Sequence, residues 1–296
     1  MILVFLGTGV CIAKFREFKI NYVYIFGIVP MHKMNQYQMF KIFLLLLTLW
    51  MVTALIEVLK IKNYMAADFQ SNNWKTWPTL IFLGLFGGLL VNPLDVMERA
   101  FRYELLYSLF HNLIAPFGLV RFKEFFLGDI LTSMVRPLID VYFIGCFYSS
   151  DEWKDPSVQG KCKPSNSMIL IVSLIPFHIR FWQCINRYYY TEMWFPHLVN
   201  AGKYLSTIVL LFVAYYRNTY KAYEGQFIMM SIFATIYSYI WDITMDWGLM
   251  RGTLADTRFL RDRLKFPKSM YYFSMITNLL LRFSWVVTLL PPSYFP

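Results

Sequence analysis

The chain has 296 residues, 57% of them hydrophobic and only 16% charged, with a mean hydropathy of +0.44. Soluble domains carry about 25% charged residues, so a water-soluble globule is excluded and a membrane protein is expected. The net charge of +10 does not signal nucleic-acid binding, because the basic residues sit in short segments between apolar runs, as cytoplasmic loops do.

Residues 1–13 are apolar but too short to cross alone, since a spanning helix needs about 20 residues. With no basic stretch before them and no small-residue cleavage site, they read as the end of a helix and not as a signal peptide. Candidate spans follow at 39–59, 78–93, 124–148, 167–185, 200–216, 227–249 and 270–290. The second is short, and its Gly84, Gly87 and Gly88 predict close approach of a neighbouring backbone. Residues 97–113 place Met97, Phe101, Leu105, Leu106, Leu109 and Phe110 at helical spacing among Glu98, Arg99 and Arg102, the pattern of an interfacial helix lying along the membrane. Trp74, Trp77, Tyr103, Tyr188, Tyr189 and Tyr190 flank apolar runs as an interfacial aromatic belt does. The expected fold is all-α: a polytopic transmembrane helical bundle of about seven spans with an N-terminal helix stub, one domain over residues 1–296.

The loops alternate in charge. Segments 14–41, 95–123 and 251–268 are basic, whereas 60–77, 149–166 and 217–226 are shorter or charge-balanced. The positive-inside rule puts the basic set in the cytoplasm and Pro291–Pro296 on the outer or lumenal side. The four cysteines, Cys11, Cys146, Cys162 and Cys184, form no C-x-x-C pair, which disfavours a metal site. Cys146 and Cys162 flank one non-cytoplasmic loop and could bridge, but two unbridged thiols is the preferred reading. His32, His111, His178 and His197 form no H-x-x-x-H box, and no G-x-S-x-G or P-loop is present. The residues point to no catalytic set, no metal and no cofactor.

Ionisable residues inside the spans carry the functional signal. Asp242 and Asp246 interrupt 227–249, Arg282 interrupts 270–290, and Lys203 opens the run that reaches Tyr215. A charge near the bilayer centre costs roughly 2.5–3.5 kcal/mol, so it is rarely there without a partner or a task. Asp242 and Asp246, four apart, share a helical face. Two carboxylates that close need cations or a shared proton, and Arg282 and Lys203 are the obvious partners. The alternatives are an anion or proton-coupled site and a set of ion pairs that fixes helix registry. Arg282 and Trp285, three apart, could hold a tetrahedral oxyanion or simply pack as a cation–π pair. Asn200, Lys203 and Tyr204 share a face in Pro196–Tyr204, where amide, ammonium and phenol could cradle phosphate oxygens. Arg180, Gln183 and Arg187 repeat that spacing upstream. There Arg187 reads as a loop charge near the cytoplasmic face and not as a ligand. Asp129 and Thr132, taken as an isolated pair, signal nothing.

Three segments, Phe195–Tyr204 (FPHLVNAGKY), Ile240–Leu249 (IWDITMDWGL) and Leu281–Trp285 (LRFSW), resemble the EXS-domain family. So do Arg180–Cys184 (RFWQC), the Asn92-Pro93 pair and Cys146–Ser149 (CFYS), all in the family's order. That family includes the xenotropic and polytropic retrovirus receptor type of phosphate exporter, the plant phosphate exporters and yeast Golgi relatives. The resemblance runs from about residue 20 to the end and implies export of inorganic phosphate through a polar channel between helices. It implies phosphate-lining roles for Asp129, Lys203, Tyr204, Asp246, Arg282 and Trp285, with Asp242 nearby; Thr132 stands where animal members have Asn. It also implies an amino-terminal SPX domain and a further helix after Trp285 bearing an arginine pair. Neither lies within these residues, and 1–13 matches the second half of a family helix, so a partial EXS domain is expected.

The leading expectation is a phosphate exporter or phosphate-permeable channel, multi-pass in the plasma membrane or the Golgi. Its partners would be inorganic phosphate and the lipid bilayer, with homo-oligomerisation left open. One alternative is a Mg²⁺-dependent phospho- or prenyltransferase using Asp242 and Asp246, although no second acidic cluster accompanies them. Another is a Golgi scaffold that retains glycosylation enzymes through loop 251–268.

Overall fold

A computed structural model describes residues 2–29, 33–61, 77–96, 98–150, 160–252 and 258–289. The expected features at Met97, at most of loop 60–77, at half of loop 149–166 and at Pro291–Pro296 lie outside them. The described residues contain no strand. The helices are α1 (Ile2–Glu17), α2 (Tyr22–Ile25), α3 (Gln36–Ile61), α4 (Trp77–Val91), α5 (Arg99–Leu113), α6 (Phe122–Thr132), α7 (Val135–Ser149), α8 (Asn166–Thr191), α9 (Trp194–Tyr220), α10 (Glu224–Trp241) and α11 (Lys268–Arg282). A π-helical turn, Asp242–Asp246, continues α10, and a 3₁₀ turn, Ser284–Leu289, follows α11. The all-α class is as expected. The chain groups into two compact units, Met1–Arg187 and Tyr188–Pro296.

In the first unit the residues expected as an N-terminal stub are helical, within α1. α1 packs on α3 around Ile12, Tyr22, Met34, Met39, Ile42 and Leu46. Gly9 permits this approach, because a Cβ there would lie 2.6 Å from the Phe40 ring. α3 starts with a reciprocal capping box: the Asn35 N–H donates to Gln38 Oε1 (2.7 Å) and the Gln38 N–H to Asn35 Oδ1 (3.0 Å). Two of the four otherwise unpaired donors at the helix start are thereby satisfied.

α4 ends where Pro93 forbids a helical residue before it. Its open carbonyl end is closed by Arg102 of α5, a buried side chain that donates to the carbonyls of Leu89, Leu90, Asn92 and Leu94. α5 has its polar residues inside, with Arg102, Ser108 and Asn112 buried and Tyr103, Tyr107, Phe110 and Leu113 exposed. Among the described residues the glycines of α4 do not meet the expected neighbour: none has an atom within 4 Å of a Cβ built at Gly84, Gly87 or Gly88.

Among the described residues, four helical segments are long and apolar enough to cross a bilayer: Gln36–Ile56, Asn166–Thr191, Trp194–Tyr220 and Glu224–Asp246. The expected single span 124–148 is instead α6 and α7, bent by 70° at their junction. Pro137 explains the break. In a continuous helix its missing N–H and its ring would meet the Ser133 carbonyl, whereas in the first turn of a new helix it is tolerated. Counting the bent pair, five crossings are supported where about seven were expected. The apolar stretch Leu80–Val91 is short, and 270–290 divides at Arg282 into α11 and the 3₁₀ turn. Large apolar side chains cover the outside (Leu44, Leu45, Leu55, Phe233, Phe273), while Arg102, Asn112, Glu124, Arg180 and Gln183 are buried. That inversion of the soluble pattern fits hydrocarbon as the outer solvent. The chain is an integral membrane protein.

The thiols depart from the sequence reading. Cys146 and Cys162 form a disulfide with Cα atoms 5.6 Å apart, while Cys11 and Cys184 are unbridged. The end of α7 and the return toward α8 bring the two together, which spacing alone does not reveal. Disulfides persist on the oxidising side of a membrane, which agrees with the non-cytoplasmic place expected for this loop. Closing 16 residues of chain contributes about 3 kcal/mol. Cys146→Ser is therefore expected to lower the melting temperature of the purified protein, and reductant should lower that of the wild type by the same amount. An unchanged melting temperature in both would refute this.

Candidate functional site

In the first unit, α5, α6 and α8 enclose a polar network. Arg180 is 1% exposed and donates from Nη1 to the Phe125 carbonyl (2.9 Å) and to Gln183 Oε1 (2.7 Å). Its Nε stands 3.3 Å from Asp129 Oδ1, and its guanidinium lies 3.6 Å above the Phe125 ring. Gln183 passes the network on, donating from Nε2 to Asn112 Oδ1 (2.6 Å) and to the Glu124 carbonyl (3.0 Å). The approach depends on Gly128, where a Cβ would lie 2.8 Å from Gln183 Oε1 and 2.9 Å from Arg180 Cδ. Arg187 stacks on the same Phe125 ring at 4.8 Å. It belongs to α8, half-buried, and is not the loop charge expected, because α8 continues to Thr191. Asp129 thus joins a cation network that the pair with Thr132 did not announce; the Thr132 hydroxyl donates to Asp129's own carbonyl (2.7 Å).

The second unit holds the other seven expected residues. Arg282, at the end of α11, donates from Nη2 to Asp242 Oδ2, and Asn278 one turn earlier reaches the same oxygen at 3.4 Å. Asp242 opens the π-helical turn, in which the Trp247 N–H reaches back five residues to its carbonyl (2.8 Å). Such turns often mark functional positions in helices. The two aspartates have unequal surroundings: Asp242 is largely covered by Arg282, whereas Asp246 is exposed. The Arg282 Nε is buried and has no acceptor. Trp285 points its indole N–H at Thr235 Oγ1 (3.1 Å) and meets Phe227 edge to face at 6.3 Å.

On α9, Asn200 and Tyr204 are buried, and the Asn200 Oδ1 has no donor. Lys203 rests its ammonium 4.6 Å from the Tyr204 ring centre and 5.4 Å from that of Trp241. Aromatic faces attract a cation through their ring quadrupole, so Tyr204 and Trp241 help to fix the position of the Lys203 ammonium. α10 seats against α9 through Tyr237, whose hydroxyl donates to the Val199 carbonyl (2.7 Å) over the space left by Gly202. The structure therefore brings Asp242, Arg282 and Asn278 together and sets Lys203 on Tyr204 and Trp241. Sequence reasoning missed Asn112, Glu124, Asn278 and Thr235. Only the i, i+4 spacing of Asn278 and Arg282 could have suggested one of them.

With that geometry in hand, comparison with known proteins is specific. The EXS family profile matches residues 1–295. Solute carrier family 53 member 1 of Homo sapiens is 32% identical over 96% of the chain, which covers 44% of that protein. The Mus terricolor protein of the same name is 32% identical over 94% of the chain, covering 42% of the relative. The xenotropic and polytropic retrovirus receptor 1 homolog of Xenopus laevis is 31% identical, with the same coverages of 94% and 42%. The chain thus spans less than half the length of these relatives. It belongs to the EXS family.

Proposed function

We propose that this chain carries the polar pathway of a phosphate exporter or phosphate-permeable channel, in the plasma membrane or the Golgi. The observation that carries the reading is the Arg282 guanidinium: it holds Asp242 by one nitrogen and leaves a buried Nε–H without an acceptor. Buried polar groups are almost always paired, and a guanidinium fork matches two oxygens of a phosphate. Lys203 supplies a second cation set on aromatic faces. Asp242 offsets part of the positive charge, so that an anion is attracted yet can leave, as conduction requires. The solute-carrier name borne by the relatives supports a transporter over an enzyme. The Mg²⁺-dependent transferase reading is weakened because Asp242, which it needs as a metal ligand, is engaged by Arg282.

Efflux of labelled phosphate from proteoliposomes tests the proposal. The wild type is expected to exceed protein-free vesicles, and Lys203→Gln to cut the excess about tenfold, the loss of roughly 1.4 kcal/mol of anion stabilisation. Efflux no faster than from empty vesicles would sink the reading.

A further inference from the structure

We propose that Arg258–Lys268, the residues that lead into α11, are a binding site for anionic lipid headgroups of the cytoplasmic leaflet. From Arg258 to Lys268 the chain carries five cations, Arg258, Arg261, Arg263, Lys265 and Lys268, against one acid, Asp262. Clusters of four or more Lys and Arg beside a membrane helix attract acidic headgroups. Two large apolar side chains, Phe259 and Phe266, are interleaved with the cations and are about half exposed. Cations alternating with exposed phenyl rings suit a surface with charged headgroups above and acyl chains below.

The segment is built and held in place. Leu260 is fully buried against Ile243 and Leu249. The N–H groups of Arg251 and Gly252 donate to the Leu260 carbonyl (3.0 and 2.7 Å), and that of Met250 to the Phe259 carbonyl (3.1 Å). The Tyr272 hydroxyl on α11 donates to the Arg258 carbonyl (2.7 Å). Pinning Leu260 inward leaves Arg258, Phe259 and Arg261 outward, with Phe259 in the left-handed region at φ +64°. A bulky residue stays in that region only where its surroundings impose it.

The side of the membrane follows from the charge of the segment. With five cations against one acid, the positive-inside rule puts it on the cytoplasmic side, where anionic lipids concentrate.

The test uses the purified full chain and native mass spectrometry, with phosphatidylinositol 4,5-bisphosphate or phosphatidylserine added against a phosphatidylcholine background. The wild type is expected to retain both anionic lipids, and to lose them as ionic strength rises from 0.1 to 0.5 M through screening. Arg258→Ala, Arg261→Ala and Arg263→Ala combined should reduce bound anionic lipid at least tenfold. Phe259→Ser with Phe266→Ser should also reduce it, while leaving the affinity for soluble inositol 1,4,5-trisphosphate unchanged. Three results would overturn the proposal: salt-insensitive binding by the wild type, soluble headgroup displacing intact lipid at equal concentration, or unchanged lipid binding in the triple variant. The salt series requires no variant to fold. Phosphate efflux is a separate readout, so the site can fail without touching the proposed pathway.

Discussion

Replacing Arg282 with alanine is expected to lower phosphate efflux at least tenfold, the largest effect of any single change in the second unit. Two losses coincide. A charge-assisted hydrogen bond to the anion is worth about 1.5–3 kcal/mol, or roughly 10- to 150-fold in occupancy. Asp242, only 16% exposed at its side chain, is also left as a carboxylate without its cation. Removing one member of such a pair is more damaging than removing both. Three variants separate folding from transport. Arg282→Ala should lose both melting temperature and flux. Arg282→Ala with Asp242→Asn should recover melting temperature but not flux. Arg282→Lys keeps the charge without the planar fork and should transport at an intermediate rate. If the double variant transports as well as the wild type, Arg282 only balances Asp242.

The largest stability effect is expected in the first unit, from Arg180→Ala. Asp129 is half exposed, so that ion pair alone contributes little. The cost lies instead in Gln183 Oε1 and the Phe125 carbonyl, both of which lose a donor, at about 1–3 kcal/mol each. The space left against the Phe125 ring adds to it. A total of about 3 kcal/mol corresponds to a fall in melting temperature of about 6–12 °C at this chain length. Arg136→Ala is the control: its pair with Asp140 is 82% and 52% exposed and should change nothing measurable. Equal melting temperatures for the Arg180 and Arg136 variants would show that the network does not stabilise the unit.

Hydropathy made the helices visible because the bilayer demands continuous apolar runs, and it located α3, α8, α9 and α10 (with its π-helical turn) to within about six residues at each end. It did not place the corner between α6 and α7, since apolar residues lie on both sides of Thr132 and Ser133 at spacings a single helix would also allow; the backbone chemistry of Pro137 marks it. The Asp242–Arg282 pair was legible because each of these charges interrupts an otherwise apolar run. The Asn112–Gln183–Arg180 network was not, because it joins Asn112 to Gln183 across 71 residues of sequence and its members look like ordinary loop or helix-surface residues. Arg187 was misplaced because the tyrosines after it resemble an interfacial belt, where the helix in fact continues. The glycines of α4 misled in the other direction: small residues permit close approach without bringing a neighbour.

Arg102 ties the fate of α4 to a residue not yet made when α4 is complete. Fifteen helical residues extend about 22 Å, less than the roughly 30 Å hydrocarbon thickness, so the carbonyl end of α4 cannot count on water. Eleven more residues must leave the ribosome before the guanidinium that closes this end exists. α4 and α5 are therefore expected to settle in the membrane as a unit, with Arg102 of the second completing the end of the first.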